Sequence, residues 1–338
     1  MSRTLSESTL VLLVGAVNFI NVLDFVMVMP LGPDFTAALG IPTSYVGLVG
    51  GSYTAAACVS GLLGAFVLDR FDRRAALAFA MLGLVAGTAA GGLATGFGSL
   101  LAARLVAGFF GGPATSIGYA IIADAIPAER RGRAVGALMG AFSIASIVGV
   151  PLGLELARWG GWRLPFFALG GLGVIVTLAV AFALPPMRNH LGRGAVTQAG
   201  LGELFANGTV RLSYAMSALS MFGGFVIVPN IATYFEFNLG YPHDGLSRLY
   251  LAGGIASLFA MRAVGSLVDR AGSTLTSTLG VVVYVASIGA AFAVTPPPLP
   301  VLPLFVALMV ASAFRNVSTS ALATKVPGPR ERARFMSI

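Results

Sequence analysis

Apolar residues run along this chain in long unbroken stretches, divided by short polar segments. Ten such stretches occupy residues 9–31, 44–66, 75–95, 99–122, 134–154, 164–184, 212–235, 246–267, 273–294 and 301–323. About 20 residues of helix cross a hydrocarbon layer about 30 Å thick, so each stretch predicts one spanning helix. The stretches are continuous, whereas the strands of a membrane barrel alternate lipid-facing and lumen-facing residues over about 10 positions. Helices are also the local solution for backbone groups that find no water in lipid. The pattern therefore predicts an all-α transmembrane protein.

The polar breaks set topology. Arg3, Arg70, Arg73, Arg74, Arg130, Arg131, Arg133, Arg188, Arg193, Arg211, Arg270, Lys325, Arg330, Arg332 and Arg334 fall on one side of the predicted spans. Arg158, Arg163 and Arg248 fall on the other. Basic residues gather on cytoplasmic loops, so the N-terminus is expected in the cytoplasm, with the chain in the plasma membrane (the cytoplasmic membrane of a bacterium). The longest break, 185–210, reads as a cytoplasmic linker. It separates a six-helix half, 1–184, from a second half, 211–338, that holds spans seven to ten and the loop beyond them.

An internal repeat supports that division. Ala65-Phe66-Val67-Leu68-Asp69-Arg70-Phe71-Asp72 returns as Gly265-Ser266-Leu267-Val268-Asp269-Arg270-Ala271-Gly272, an offset of 200 residues. Pro127 with Arg130 faces Pro327 with Arg330 at the same offset. Two loops in one register imply two related halves, a known architecture of secondary transporters.

Composition agrees with burial in lipid. The 338 residues are 57% hydrophobic and 10% charged, where soluble domains average about 25% charged. The 44 glycines suit helices that pack closely in a bilayer. The net charge of +8 is spread between apolar runs, as topology requires, and does not form a nucleic-acid-binding stretch. One cysteine, Cys58, excludes an internal disulfide and a cysteine metal centre. His190 and His243 stand in polar breaks without a second ligand at metal spacing. The first thirty residues hold Asn18, Asn21 and Asp24 and no small-residue cleavage pattern, so they read as a retained first span and not a signal peptide.

Ionisable residues within spans are costly and mark function by default. Asp24 in the first span and Arg104 in the fourth lie at matching depth, about 10 Å from the same end. They read either as a proton-coupling pair or as a static ion pair that fixes packing. Arg315 with Asn316, deep in the tenth stretch, is a second candidate for a substrate cavity. Arg262 and Arg248 lie near span ends, where snorkelling explains them.

At this point the chain resembles the major facilitator superfamily along nearly its whole length. Ala65 to Arg74, with Asp69, Arg70, Arg73 and Arg74, is similar to the superfamily's Gly-x-Leu-x-Asp-Arg-x-Gly-Arg-Arg loop; Ala65 and Asp72 stand in place of its glycines. The second copy keeps Asp269 and Arg270. Arg104 and Gly108 resemble the family's Arg-x-x-x-Gly pattern in helix four. Gly149-Val150-Pro151-Leu152-Gly153, with Gly161-Trp162-Arg163 following, is similar to the drug and sugar efflux antiporters of the arabinose- and chloramphenicol-efflux branch, although Val150 separates the usual glycine and proline. Asp24 and the Met29-Pro30-Leu31-Gly32-Pro33 string fit the same branch.

The resemblance implies a fold of two repeated six-helix halves. Helices one, four, seven and ten would line a central cavity containing Asp24 and Arg104. The Asp-Arg loops would act as a cytoplasmic gate, or else serve topology alone. Gly149, Pro151 and Gly153 would seal the path in an antiporter, or else make a packing kink. The chain stops where an eleventh helix is expected, with the second half incomplete: a natural truncation, a broken reading frame or a fragment.

The leading function is secondary active export of a small organic molecule (drug, sugar or metabolite) in exchange for protons, by a monomer. The proton gradient is the driving force and no cofactor is expected. Uptake or facilitated diffusion, and a non-transporting remnant, are the alternatives. No phosphate-binding Gly-x-x-x-x-Gly-Lys-Ser/Thr loop occurs. An enzyme would want clustered His, Asp or Glu at membrane depth, where Asp24 stands alone.

Overall fold

The computed structural model describes residues 6–127, 130, 134, 136–138, 140–141, 144–188, 207–294, 297 and 299–323, without the side chains of 65, 66, 69, 269, 320, 321 and 323. Twelve α-helical segments carry the argument: α1 Glu7–Met27, α2 Gly32–Leu39, α3 Thr43–Val67, α4 Arg73–Gly92, α5 Phe97–Ala125, α6 Val150–Gly160, α7 Arg163–Ala183, α8 Gly208–Ile227, α9 Ile231–Phe237, α10 Leu246–Ala271, α11 Ser273–Ile288 and α12 Val301–Ala323. Among the described residues, nine helical runs are long and apolar enough to cross a membrane. They match nine of the ten expected stretches. The other, 134–154, contains positions outside the described residues.

Two expected boundaries move. The first span does not stop at residue 31: a 3-10 turn at Met29–Leu31 leads into α2, and helical structure continues to Leu39. Pro30 and Pro33 occupy the opening positions of those two pieces, where a missing N–H costs nothing. The seventh span repeats the device, with a 3-10 turn at Val228–Asn230 between α8 and α9. The stretch expected to end at residue 154 continues as α6 to Gly160, with Glu155 and Arg158 paired at 3.1 Å. Its apolar run ends sooner than its helix.

The repeat is visible in the backbone as well. Gly40 closes α2 at φ 63°, and Gly240 follows α9 at φ 65°, 200 positions on. Only glycine enters this left-handed region without a Cβ penalty.

Packing groups the chain into two compact units, Met1–Arg193 with Pro229–Ser247, and Gly194–Val228 with Arg248–Ile338. The sequence repeat divides the chain at the linker, whereas packing assigns 229–247 to the first unit. A Cβ added to Gly32 would meet Val46 Cγ1 at 2.7 Å and Thr233 Oγ1 at 2.5 Å, which shows how tightly α2, α3 and α9 meet. His243 joins the same unit through Glu236 at 2.9 Å and Asp34 at 3.6 Å.

In the first unit, α4 packs on α5 and α7, and α5 on α3. A Cβ on Gly87 would stand 2.5 Å from the Ala107 backbone nitrogen, so α4 and α5 touch backbone to backbone there. Phe35, Trp162 and Phe166 form an aromatic cluster with centroids 5.6–6.3 Å apart. Large apolar side chains such as Leu62, Phe79, Leu82 and Phe182 face outward. Such a surface suits lipid and not water.

Candidate functional site

In α1 the polar residues Asn18, Asn21 and Asp24 recur every three positions and are all buried. That spacing puts them on one stripe of the helix, and each finds a partner across a helix interface. Asn18 Nδ2 donates to the Leu138 carbonyl at 2.7 Å. Asn21 Nδ2 donates to the Gly111 carbonyl at 2.7 Å and to Thr115 Oγ1 at 2.5 Å, while its Oδ1 accepts from the Tyr53 hydroxyl.

Asp24 and Arg104 have no solvent exposure. Arg104 Nη1 donates to Asp24 Oδ2 at 2.9 Å, and Nη2 donates to the Asp24 backbone carbonyl at 3.0 Å. Thr88 on α4 places its hydroxyl 2.8 Å from Asp24 Oδ1, and the guanidinium carbon lies 4.6 Å from the Tyr53 ring centroid. Three helices thus converge on one carboxylate. Gly108 of α5 makes this possible, because a Cβ there would meet the Tyr53 backbone. Of the three Arg104 nitrogens, Nε is the one without a hydrogen-bond partner among the described residues. Thr88 carried no signal in the sequence, since a lone threonine in a span usually bonds its own helix, as Thr88 also does with Leu84 O at 2.8 Å.

The stretch leading to α6 bends beside this pair. Ala145–Gly149 forms a π-helical turn, and Pro151 enters α6 in its first turn. A Cβ on Gly149 would lie 2.6 Å from Leu23 Cδ1, and one on Gly153 would lie 2.9 Å from Met27 Cγ. The two glycines therefore let this helix close on α1 on either side of Asp24. Pro151 is buried, and its carbonyl accepts from the Ser247 hydroxyl at 3.2 Å.

A cavity of about 840 Å³ opens between the first half of α1 and described residues from Ile126 to Ile144 that include Ala134. Val11, Gly15 and Phe19 line one wall and Ala137, Ala141 and Ile144 the other, with Glu7 and Arg130 among its lining residues and ion-paired at 3.0 Å. Asp24 lies five residues beyond Phe19, or about 7–8 Å along the helix. Asp24 itself is fully buried and is not among the residues that line this cavity.

The loop between α3 and α4 has a different character. Asp69 and Arg70 belong to a 3-10 turn, Leu68–Arg70; the Asp69 side chain lies outside the described residues and Arg70 is exposed. Arg73 Nε reaches Asp124 Oδ2 at 3.3 Å, and Arg74 Nη1 reaches the Leu184 carbonyl at 3.5 Å. Asp72 caps α4, accepting from the backbone N–H groups of Arg74 and Ala75, and pairs with Arg188 at 3.0 Å. Partial burial raises the Asp72 carboxyl, but Arg188 and the N–H groups of Ala75, Met187 and Arg74 outweigh it and hold the group below its ordinary value. As a substitute for the motif's glycine, Asp72 did not stand out, yet aspartate is a preferred N-cap. In the second copy, the Asp269 side chain is outside the described residues and Arg270 is exposed.

Arg315 on α12 lies in the second unit and is 7% exposed. Its guanidinium carbon sits 4.2 Å from the Tyr284 ring centroid, and Nη2 reaches Asn316 Oδ1 at a long 3.5 Å.

The sequence profile of the Major Facilitator Superfamily matches residues 14–338. The chain belongs to that superfamily, a family of transporters and not of enzymes, and it is an integral membrane protein. It is 26% identical over 258 residues to YtbD, an uncharacterized MFS-type transporter of Bacillus subtilis, across 76% of this chain and 63% of that protein. It is 28% identical over 286 residues to a chloramphenicol resistance protein of Streptomyces lividans, across 80% of this chain and 69% of that protein. The chain therefore spans about two thirds of the length of these relatives. Its fold matches that of a bacterial homologue of the human lysosomal transporter Spinster, with a TM-score of 0.79 at 19% identity, across 98% of this chain and 78% of the other.

Proposed function

We propose that this chain exports a small organic molecule across the bacterial cytoplasmic membrane in exchange for protons, as a monomer with its N-terminus in the cytoplasm. The observation that carries this reading is the Asp24–Arg104 pair, a carboxylate and a guanidinium wholly buried within helices of a transporter fold. Structural packing alone rarely needs such a pair, because apolar residues of similar volume fill a core at least as well. Asp24 takes up a proton from the outside and releases it to the inside as substrate moves the other way. Arg104 supplies the counter-charge of the Asp24 carboxylate, and Thr88 offers one of its oxygens a hydroxyl.

Export as the direction is supported by the antiporter-like Gly149, Pro151 and Gly153, of which the two glycines press on α1 next to Asp24, and by likeness to a chloramphenicol resistance protein. Within the first unit the cavity beside Phe19 serves the substrate and the Asp24–Arg104 pair the proton; within the second unit Arg315 and Asn316 are the polar points offered to substrate. Asp69, Arg70, Asp269 and Arg270 work the cytoplasmic gate, and Arg73 and Arg74 anchor the first copy of that gate to α5 and α7.

The test uses inverted membrane vesicles with chloramphenicol as first probe, reading collapse of an imposed pH gradient on addition of substrate. Asp24→Asn should abolish the response per folded protein while gradient-free counterflow of the probe persists, and Asp24→Glu should restore part of it. Undiminished proton coupling in Asp24→Asn removes Asp24 from the mechanism.

A further inference from the structure

Arg315 poses a charge problem that Arg104 does not. The described helices of the second unit contain one acidic residue, Asp269, near the end of α10. Arg315 is far from that end. It packs on Gly280, where an added Cβ would meet its backbone nitrogen at 2.9 Å, and Gly280 lies seven residues into α11, about 10 Å along the helix. No carboxylate among the described residues lies within ion-pair distance of Arg315. Arginine keeps its proton at any physiological pH, so neutralisation by proton loss is closed to it.

The surroundings leave donors available. Nε is buried and has no hydrogen-bond partner, and the contact to Asn316 is long. The Tyr284 ring lies against the guanidinium, and the Tyr284 side chain also hydrogen-bonds Arg315. On α8, Gly223 and Gly224 come close to the same group: a Cβ on the first would lie 3.6 Å from Nη1, and one on the second 3.1 Å from Nη2. Any larger residue at 224 would press on the guanidinium. An arginine with an unpartnered Nε, a ring beside its guanidinium and glycines next to both Nη atoms suits a planar, bidentate anion.

We infer that Arg315, with Tyr284 and Asn316, is a recognition point for the carboxylate of an organic acid carried by this protein. The inference rests on the transporter reading above and narrows its substrate class. Asn316 donates a further hydrogen bond to the bound acid, and Tyr284 fixes the guanidinium plane. Binding supplies the negative charge that the fold withholds.

The test measures equilibrium binding of 1-naphthoate and its uncharged amide, 1-naphthamide, to the purified full chain in phosphatidylcholine nanodiscs. No gradient is applied, so failure here is separate from failure of proton coupling at Asp24. The wild-type protein should prefer the acid by about tenfold or more. Arg315→Gln should bring the two affinities together, and Arg315→Lys should keep part of the preference; unfolding midpoints of both variants check the fold. Equal binding of acid and amide by the wild type, no binding of the acid, or a preference that survives Arg315→Gln overturns the inference. So does loss of acid binding when phosphatidylglycerol is added to the wild type but not to Arg315→Gln, because the site would then hold a lipid headgroup.

Discussion

Each of the two compact units buries an arginine beside a tyrosine ring, and the two cations are treated in opposite ways. Arg104 lies 4.6 Å from the Tyr53 centroid and meets a carboxylate at 2.9 Å, with the Asp24 carbonyl taking a second donor. Arg315 lies 4.2 Å from the Tyr284 centroid and meets an amide at 3.5 Å. Burial and aromatic contact are therefore not what distinguishes them. The difference is whether the fold supplies the counter-charge, and it separates a charge the protein holds closed from one it leaves for a ligand.

The largest effect should come from taking the arginines away in turn. Arg104→Met strands Asp24 as an unpaired buried anion and should cost about 3–5 kcal/mol, read as a fall in the unfolding midpoint in detergent. Arg315→Met removes a cation with no anion to strand, and should leave the midpoint unchanged or raise it. The double change Asp24→Leu with Arg104→Met should recover most of the first loss. Equal destabilisation by the two arginine substitutions would break the comparison.

A smaller effect sharpens it. Thr88→Val removes a hydroxyl from a charged acceptor, a loss of about 1.5–3 kcal/mol. In the Asp24→Leu, Arg104→Met background that loss should shrink towards zero, because its acceptor is gone.

The smallest effect lies outside the membrane. The folded Asp72 carboxyl is held below its ordinary 3.8, so its contribution is complete above pH 3.8 and fades as pH falls through the lowered folded value. Asparagine still caps a helix, so Asp72→Asn isolates the charge. Its midpoint should fall slightly short of wild type at pH 7, and the gap should close in strong acid. High salt should narrow it at neutral pH, since the paired Arg188 is exposed.

How much of this was legible in the sequence depended on contrast with the surroundings. The spans stood out because an unbroken apolar run of about 20 residues suits little besides a helix in lipid. Asp24, Arg104 and Arg315 stood out because charge is rare at such depth. The partners did not: Thr88, Asn21 and Tyr53 are polar residues common in membrane helices, and their meeting depends on interhelical geometry. The apolar pattern ends the first span at residue 31, beside prolines that usually stop a helix. A 3-10 turn at Met29–Leu31 lets the helix restart, and composition carries no mark of that.

The π-helical turn at Ala145–Gly149 has a consequence for how this helix tolerates change. A π turn holds one residue more than an α turn, so positions after it are rotated about 100° from where unbroken α-helix would put them. The wall facing the cavity at Ala137, Ala141 and Ile144 and the seam facing Leu23 and Met27 at Gly149 and Gly153 thus obey two different phases. Losing a single residue between 145 and 149 would be, in effect, a twist of α6. It would swing both glycines off α1 and bring bulkier neighbours against Asp24's helix.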